Sequence, residues 1–222
     1  MRVVIEIGPR GRKVAAVAPD WPGLERGAAT VEAATERLLA YLPRYAPVAA
    51  LAGLGAEFAA VAAGADVVER YPGTGSTDFW GISFAFSGVD RQPRSGEELA
   101  RELALMRAAW AFFDGVRARV SAELRHGPRG GGRDRDHVVA HTVRTECSWG
   151  RMLGLPVPDG IPTGDELLAH REAYCAAIRA HHADGKTAGR IARWPMRFLI
   201  RHTAFHTLDH AWEMEDKDLT DE

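Results

Sequence analysis

The chain has 222 residues, 46% of them hydrophobic and 26% charged, with 28 Lys and Arg set against 30 Asp and Glu. That composition suits a globular protein with ample core, and a net charge of −2 argues against nucleic acid or a membrane as partner. The two cysteines, Cys147 and Cys175, form no CxxC pair, and neither a signal-peptide core nor an apolar run of membrane-spanning length is evident, so the cytoplasm is the expected compartment.

Residues 2–7 are apolar and β-branched, Gly8-Pro9-Arg10-Gly11 punctuates, and residues 13–18 resume the pattern, which predicts a β-hairpin. Asp20-Trp21-Pro22-Gly23 predicts a turn. Thr30 is placed to cap a helix through about Leu42, with Val31, Ala34, Leu38 and Leu39 along one face. Pro43 and Pro47 interrupt the helical pattern before a second Ala-rich helical piece, and residues 66–71 read as a returning strand. Residues 72–93 lose periodicity and read as an extended connector. Gly73-Thr74-Gly75-Ser76 is too short for a phosphate loop. Phe79, Trp80, Phe84 and Phe86 are too many aromatics for a free linker, so the connector is expected to pack over one end of the C-terminal domain and to wall a pocket there.

From Ser95 the period becomes helical. Leu99, Leu103, Met106, Trp110, Phe113, Val116, Val120 and Leu124 mark the core stripe of a long helix that the run 127–132 ends. A second helix is expected from about Asp134 to Met152. A third opens at the capping-box pattern Thr163-Gly164-Asp165-Glu166 and closes at Gly185, and a fourth begins around Arg190. Four helices joined this way predict an antiparallel bundle.

The last of these helices carries His202, His206 and His210, every fourth residue. Each step of four turns the azimuth by about 40°, so the three rings form one drifting stripe beside Phe198, Phe205, Leu208 and Trp212. Imidazoles four apart lie close enough to share an ion, although such a pair also serves as packed structural histidines. The second helix holds another pair, His137 and His141, with His141 between the apolar and polar sides. One ring from it against two from the last helix makes a three-nitrogen set with an open position, as catalytic metal sites have.

Asp20-Trp21-Pro22-Gly23-Leu24 followed by the helix Thr30 through Tyr41 resembles the small HicB-like antitoxin domain, which implies an α+β fold for the first part of the chain. His141-Thr-Val-Arg-Thr-Glu, together with His206 and His210, resembles the DinB-like superfamily, whose members include bacillithiol S-transferases and mycothiol-dependent maleylpyruvate isomerases. The two resemblances imply a multidomain α+β protein: a HicB-like domain over 1–71, an ordered connector over 72–93 and a DinB-like four-helix bundle over 94–222.

Carried onto these positions, the DinB-like metal triad falls on His141, His206 and His210, leaving His202 as an extra histidine that competes with His210. The implied cofactors are a divalent metal, zinc before nickel or iron, and a low-molecular-weight thiol such as mycothiol. The implied partners are that thiol and a small electrophile, with self-association as a homodimer left open. Asp209 and Glu213 flank the triad and are the candidate catalytic carboxylates, either accepting from an imidazole N–H to orient it or acting as a general base. Arg144 and Arg201 are candidates to hold a substrate carboxylate. Cys147 and Cys175 are expected to be small buried hydrophobes, and His181-His182 to complete a helix end.

Overall fold

The computed structural model describes residues 1–61, 64–127, 132–183, 190–191 and 194–220. Strand β1 (Arg2–Ile7) has Val3, Val4 and Ile5 fully buried, as a strand covered on both faces requires. It pairs antiparallel with β2 (Val14–Val17), Val4 opposite Val17, which is the expected hairpin. β2 continues antiparallel into β3 (Glu25–Ala28), and β1 takes β4 (Asp66–Pro72) on its other side in parallel, giving the order β3-β2-β1-β4. A parallel neighbour demands a crossover. The helices α1 (Val31–Ala40), α2 (Leu42–Leu51) and α3 (Gly55–Val61) supply it.

Thr30 caps α1 as predicted, its hydroxyl accepting from the Ala33 amide at 3.2 Å. The prolines do not break the second helix. Pro43 sits in the first turn of α2, where its missing N–H costs nothing, and only Pro47 lies in the interior. Strand β3 has no sequence signal of its own, because Glu25-Arg26-Gly27-Ala28 shows neither alternation nor β-branching.

The segment 72–93 is not a simple extended connector. It holds two short capped helices, α4 (Gly75–Trp80) and α5 (Gly88–Arg91). The chain between them hangs on two buried carboxylates. Glu6 accepts from the Ser83 hydroxyl at 2.7 Å, from the Phe84 and Ala85 amides at 3.0 Å each, and from the Thr77 hydroxyl. Glu25 accepts from the Ser83 amide at 2.5 Å. A buried carboxyl group is tolerable only when its oxygens find such partners.

Gly27 and Gly81 meet closely beneath this segment: a Cβ on Gly27 would lie 1.9 Å from the Gly81 carbonyl oxygen. Gly27→Ala should therefore destabilise the protein by roughly 2–4 kcal/mol, read as a lowered denaturation midpoint at unchanged slope.

The long helix α6 (Gly96–Arg119) opens on the Ser95–Glu98 capping box and ends about two turns short of the predicted stop. Val120 and Leu124 keep their buried places outside the helix, with Leu124 bridging to Asp218. Then come α7 (Arg135–Gly150), α8 (Gly164–Ala183) and α9 (Met196–Asp216). The expected stops at 128–131 and at Gly185 lie outside the described residues. α9 starts at Met196, after the short pairing of residues 190–191 with 194–195, rather than near Arg190.

One hydrophobic cluster runs from Val3 and Ile5 of the sheet through Tyr45 and Val48 of α2 to Leu103 and Met106 of α6, Tyr174 of α8 and Leu208 and Trp212 of α9. The mixture of a small sheet and long helices is α+β. Its buried axis is α9, whose residues from Met196 through Phe205 are all buried.

Candidate metal centre

The seam between α7 and α9 sets the depth of the histidines. Val138 of α7 packs with Ala211 and Met214 of α9 and with Phe113 and Val116 of α6. One turn further along α7, His141 comes out opposite His206 and His210. Its Nε2 lies 3.2 Å from the Nε2 of His206, and its ring centroid 4.9 Å from that of His210. The His206 and His210 rings stand 4.5 Å apart, and one nitrogen from each of the three lies within 4.8 Å of the others. Positions 65 apart in sequence have thus been brought to one point.

Chemistry of the donor set can be tested against a metal. Tetrahedral zinc with bonds of about 2.0–2.1 Å places its imidazole nitrogens roughly 3.3 Å apart. The 3.2 Å approach of His141 to His206 matches that spacing. Ligand imidazoles must also be neutral. Burial, then the nearness of the His210 and His141 rings, pushes His206 down to about 2. Burial and His210 likewise hold His141 below its ordinary value, with Arg133 and Arg144 adding to the effect.

The third ring is oriented from behind. Glu213 Oε2 lies 2.7 Å from His210 Nδ1 and accepts its N–H, which turns the Nε2 lone pair to the cluster as the ligating atom. The same carboxylate accepts from Lys217 Nζ and Arg133 Nη2, both at 2.8 Å. The His210 hydrogen bond, followed by those cations, takes Glu213 down to about 2.

Other candidates fall elsewhere. The Asp209 carboxylate faces the sheet side of α9 and meets Arg26 Nη1 at 3.3 Å. Arg26 is itself stacked over Tyr41 at 3.6 Å and Trp212 at 4.4 Å. His202 does not join the cluster. It is 2% exposed and stacks on Phe198 at 5.0 Å, walled by Phe84, Trp149 and Trp194. Burial takes it down to about 3. His137 is exposed.

Arg201 is fully buried and committed to Asp90, Ser83 and Glu25, so it has no free face for a substrate. Arg144 is exposed one turn along α7 from His141. Burial pushes both Cys147 and Cys175 up to about 11, which suits packed thiols rather than nucleophiles. His182 Nε2 meets the Arg94 carbonyl oxygen at 3.1 Å near the end of α8.

Sequence reasoning missed Trp149, whose ring stands 5.3 Å from His206 and 5.1 Å from His202. The signal was present: at eight residues from His141 it lies about 80° round the same helix, on the side turned to α9. It missed Arg133 as well, which sits in an irregular run with no periodicity to place it. Compared with protein-family models, with curated proteins and with solved structures, the chain finds no match.

Proposed function

We propose that the chain is a metal-dependent enzyme of the DinB-like kind, a thiol S-transferase or isomerase acting on a small electrophile, with His141, His206 and His210 holding a divalent ion. The observation that carries the proposal is the convergence of three imidazoles, two of them 3.2 Å apart across α7 and α9. Zinc suits three nitrogens first, with nickel or iron as alternatives. When bound, such an ion supplies Lewis acidity and lowers the pKa of a thiol or water beside it.

The chain's own residues do the rest. His141 and His206, kept neutral by burial, present lone pairs at physiological pH. Glu213 is a positioning residue here: held ionised by its three partners, it fixes the His210 ring and tautomer. Asp209, turned to Arg26, has no part in the proposal. The cluster comprises three side chains among the described residues, which favours an open site over a closed structural clip of four protein ligands. Arg144, whose charge reaches His141, lies where it can draw an anionic nucleophile or substrate to the site.

The test is turnover of an epoxide or halide-bearing electrophile by the zinc-loaded protein, with and without mycothiol or bacillithiol. Thiol-dependent consumption that His206→Ala abolishes supports the proposal. Equal consumption without thiol makes the chain a hydrolase. No turnover, combined with a melting temperature that collapses on chelation, makes the metal a structural clip. Under the proposal, Arg144→Gln should raise KM for a carboxylated electrophile about tenfold at low salt, with kcat little changed and the difference shrinking as salt is added.

A further inference from the structure

We propose that the tip formed by Phe79, Trp80 and the turn from Gly8 to Lys13 is a docking point for a membrane surface carrying anionic phospholipid headgroups. Phe79 and Trp80 are 66% and 63% exposed, and their rings meet edge-on at 4.4 Å. Single exposed apolar residues are ordinary on a protein surface. A contiguous phenylalanine–tryptophan pair, rigidly presented among cations, is not.

The presentation is built. Asp78 joins the aromatic helix to the basic turn, its Oδ2 accepting from the Arg10 amide at 2.7 Å and its Oδ1 from the Arg12 amide at 2.9 Å. Lys13 Nζ donates to the Phe79 carbonyl oxygen at 2.7 Å. Gly81 turns the chain at a φ of +73°, which a side chain would resist. Gly8 sits so close that a Cβ would meet Asp78 Oδ1 at 2.2 Å. Rings and cations therefore share one end of the molecule. The Arg10 and Arg12 side chains are exposed with no ion-pair partner among the described residues, and Arg37 donates at 3.0 Å to the carbonyl oxygen of Gly27, the residue packed against Gly81. Asp78 is the nearby acid, and its oxygens are already occupied by backbone amides.

This combination fits a lipid interface better than a protein. Phe79 and Trp80 line none of the five clefts found among the described residues and stand mostly in solvent, at 66% and 63% exposure. A protein partner would have to offer a preformed pocket to bury them. A bilayer interface accepts an exposed aromatic pair without shape matching, tryptophan at headgroup level and arginines against phosphate. A second copy of the chain is a poor receptor. An apolar cleft of about 790 Å³ around Pro47, Leu51 and Phe112 is flanked by Arg44 and Arg119, and Glu215 there already binds both. Docking on lipid departs from the expectation that a net charge of −2 argues against a membrane partner: a headgroup layer reads charge within a Debye length, not the whole-chain sum. Membrane docking at this tip is independent of the metal centre.

Sedimentation of the full chain with vesicles of phosphatidylcholine, with and without phosphatidylglycerol, tests it. The wild type should pellet with the anionic vesicles at low salt and be released by high salt. Arg10→Gln with Arg12→Gln should weaken partitioning roughly 5-fold per cation removed, and Phe79→Ser with Trp80→Ser should abolish it. All four side chains are exposed, so an unchanged melting temperature should accompany each variant. Absence of binding to anionic vesicles, or equal binding by both double variants, overturns the proposal. Elution as a dimer that Trp80→Ser returns to monomer assigns the tip to self-association and overturns it as well.

Discussion

Alanine at position 206 should leave the purified chain without zinc after reloading and dialysis, whereas the wild type should carry close to one ion per chain. His206 is the hinge of the set. Its Nε2 faces His141 at 3.2 Å and its ring stands 4.5 Å from His210, so deleting it leaves two imidazoles with no nitrogen between them. Loss of an orienting partner alone costs about 10- to 100-fold in affinity, and loss of a ligand should cost more. His141→Ala and His210→Ala should behave like His206→Ala. Glu213→Gln should retain the ion but weaken it by that 10- to 100-fold, because the 2.7 Å contact to His210 Nδ1 is lost as a charged acceptor. His170→Ala and His181→Ala, on α8, should bind as the wild type does. Elemental analysis with chelator competition reads all of these. Full metal retention by His141→Ala would falsify the triad. The apo form of His206→Ala should lose little stability, since the ring it removes is half-buried, neutral and crowded by other imidazoles.

Much of the helical part was legible because it obeys a period. The stripe from Leu99 to Val116 is buried as its spacing requires, and Thr30 and Ser95 cap the helices they precede. The histidine repeat on α9 was equally plain, but a repeat has no depth. His202 and His210 are both four residues from His206, and spacing alone cannot choose between them. The choice is made by groups distant in sequence: Phe84 from the segment before α5, Trp149 from α7 and Trp194 before α9 close round His202, while His141 closes on the other two. Only tertiary packing brings these together.

Strand β3 and the segment 72–93 were hidden for a related reason. Both depend on polar residues that satisfy one another across the fold, Glu6 with Ser83 and Thr77, Glu25 and Asp90 with Arg201. Hydrophobic patterning is blind to a glutamate such as Glu6, which is fully buried because four donors surround it. Phe79 and Trp80 were legible as aromatics, but the packing expected of them is not found: they are 66% and 63% exposed, whereas Phe84 and Phe86 do pack, on His202 and Phe198.

Acid should expose the second large effect, and His202 is its source. Burial first, and then the Arg201 charge, takes this ring down to about 3 in the folded protein, against about 6.5 in an unfolded chain. Above pH 6.5 the ring is neutral in both states and contributes no pH dependence. As pH falls below 6.5 the unfolded state takes up a proton that the folded state refuses, so stability is lost progressively until about pH 3. The full loss from this one group is up to roughly 5 kcal/mol. Other groups titrate in the same window, among them Glu25 and Glu146, which burial pushes up to about 8 and about 7, and these oppose the trend. A difference measurement removes them. His202→Phe keeps an aromatic ring on Phe198 and deletes a buried Nδ1 that has no hydrogen-bond partner among the described residues. In the chelated protein, at pH 7, it should be neutral or stabilising by about 1 kcal/mol. Its advantage over the wild type should then widen on acidification, reaching roughly 3 kcal/mol near pH 4.5, as read by denaturant midpoints at each pH. Parallel pH profiles for the two proteins would mean that His202 is reached by water or paired with a donor, and that the aromatic wall between it and His206 does not keep the ring out of the metal chemistry.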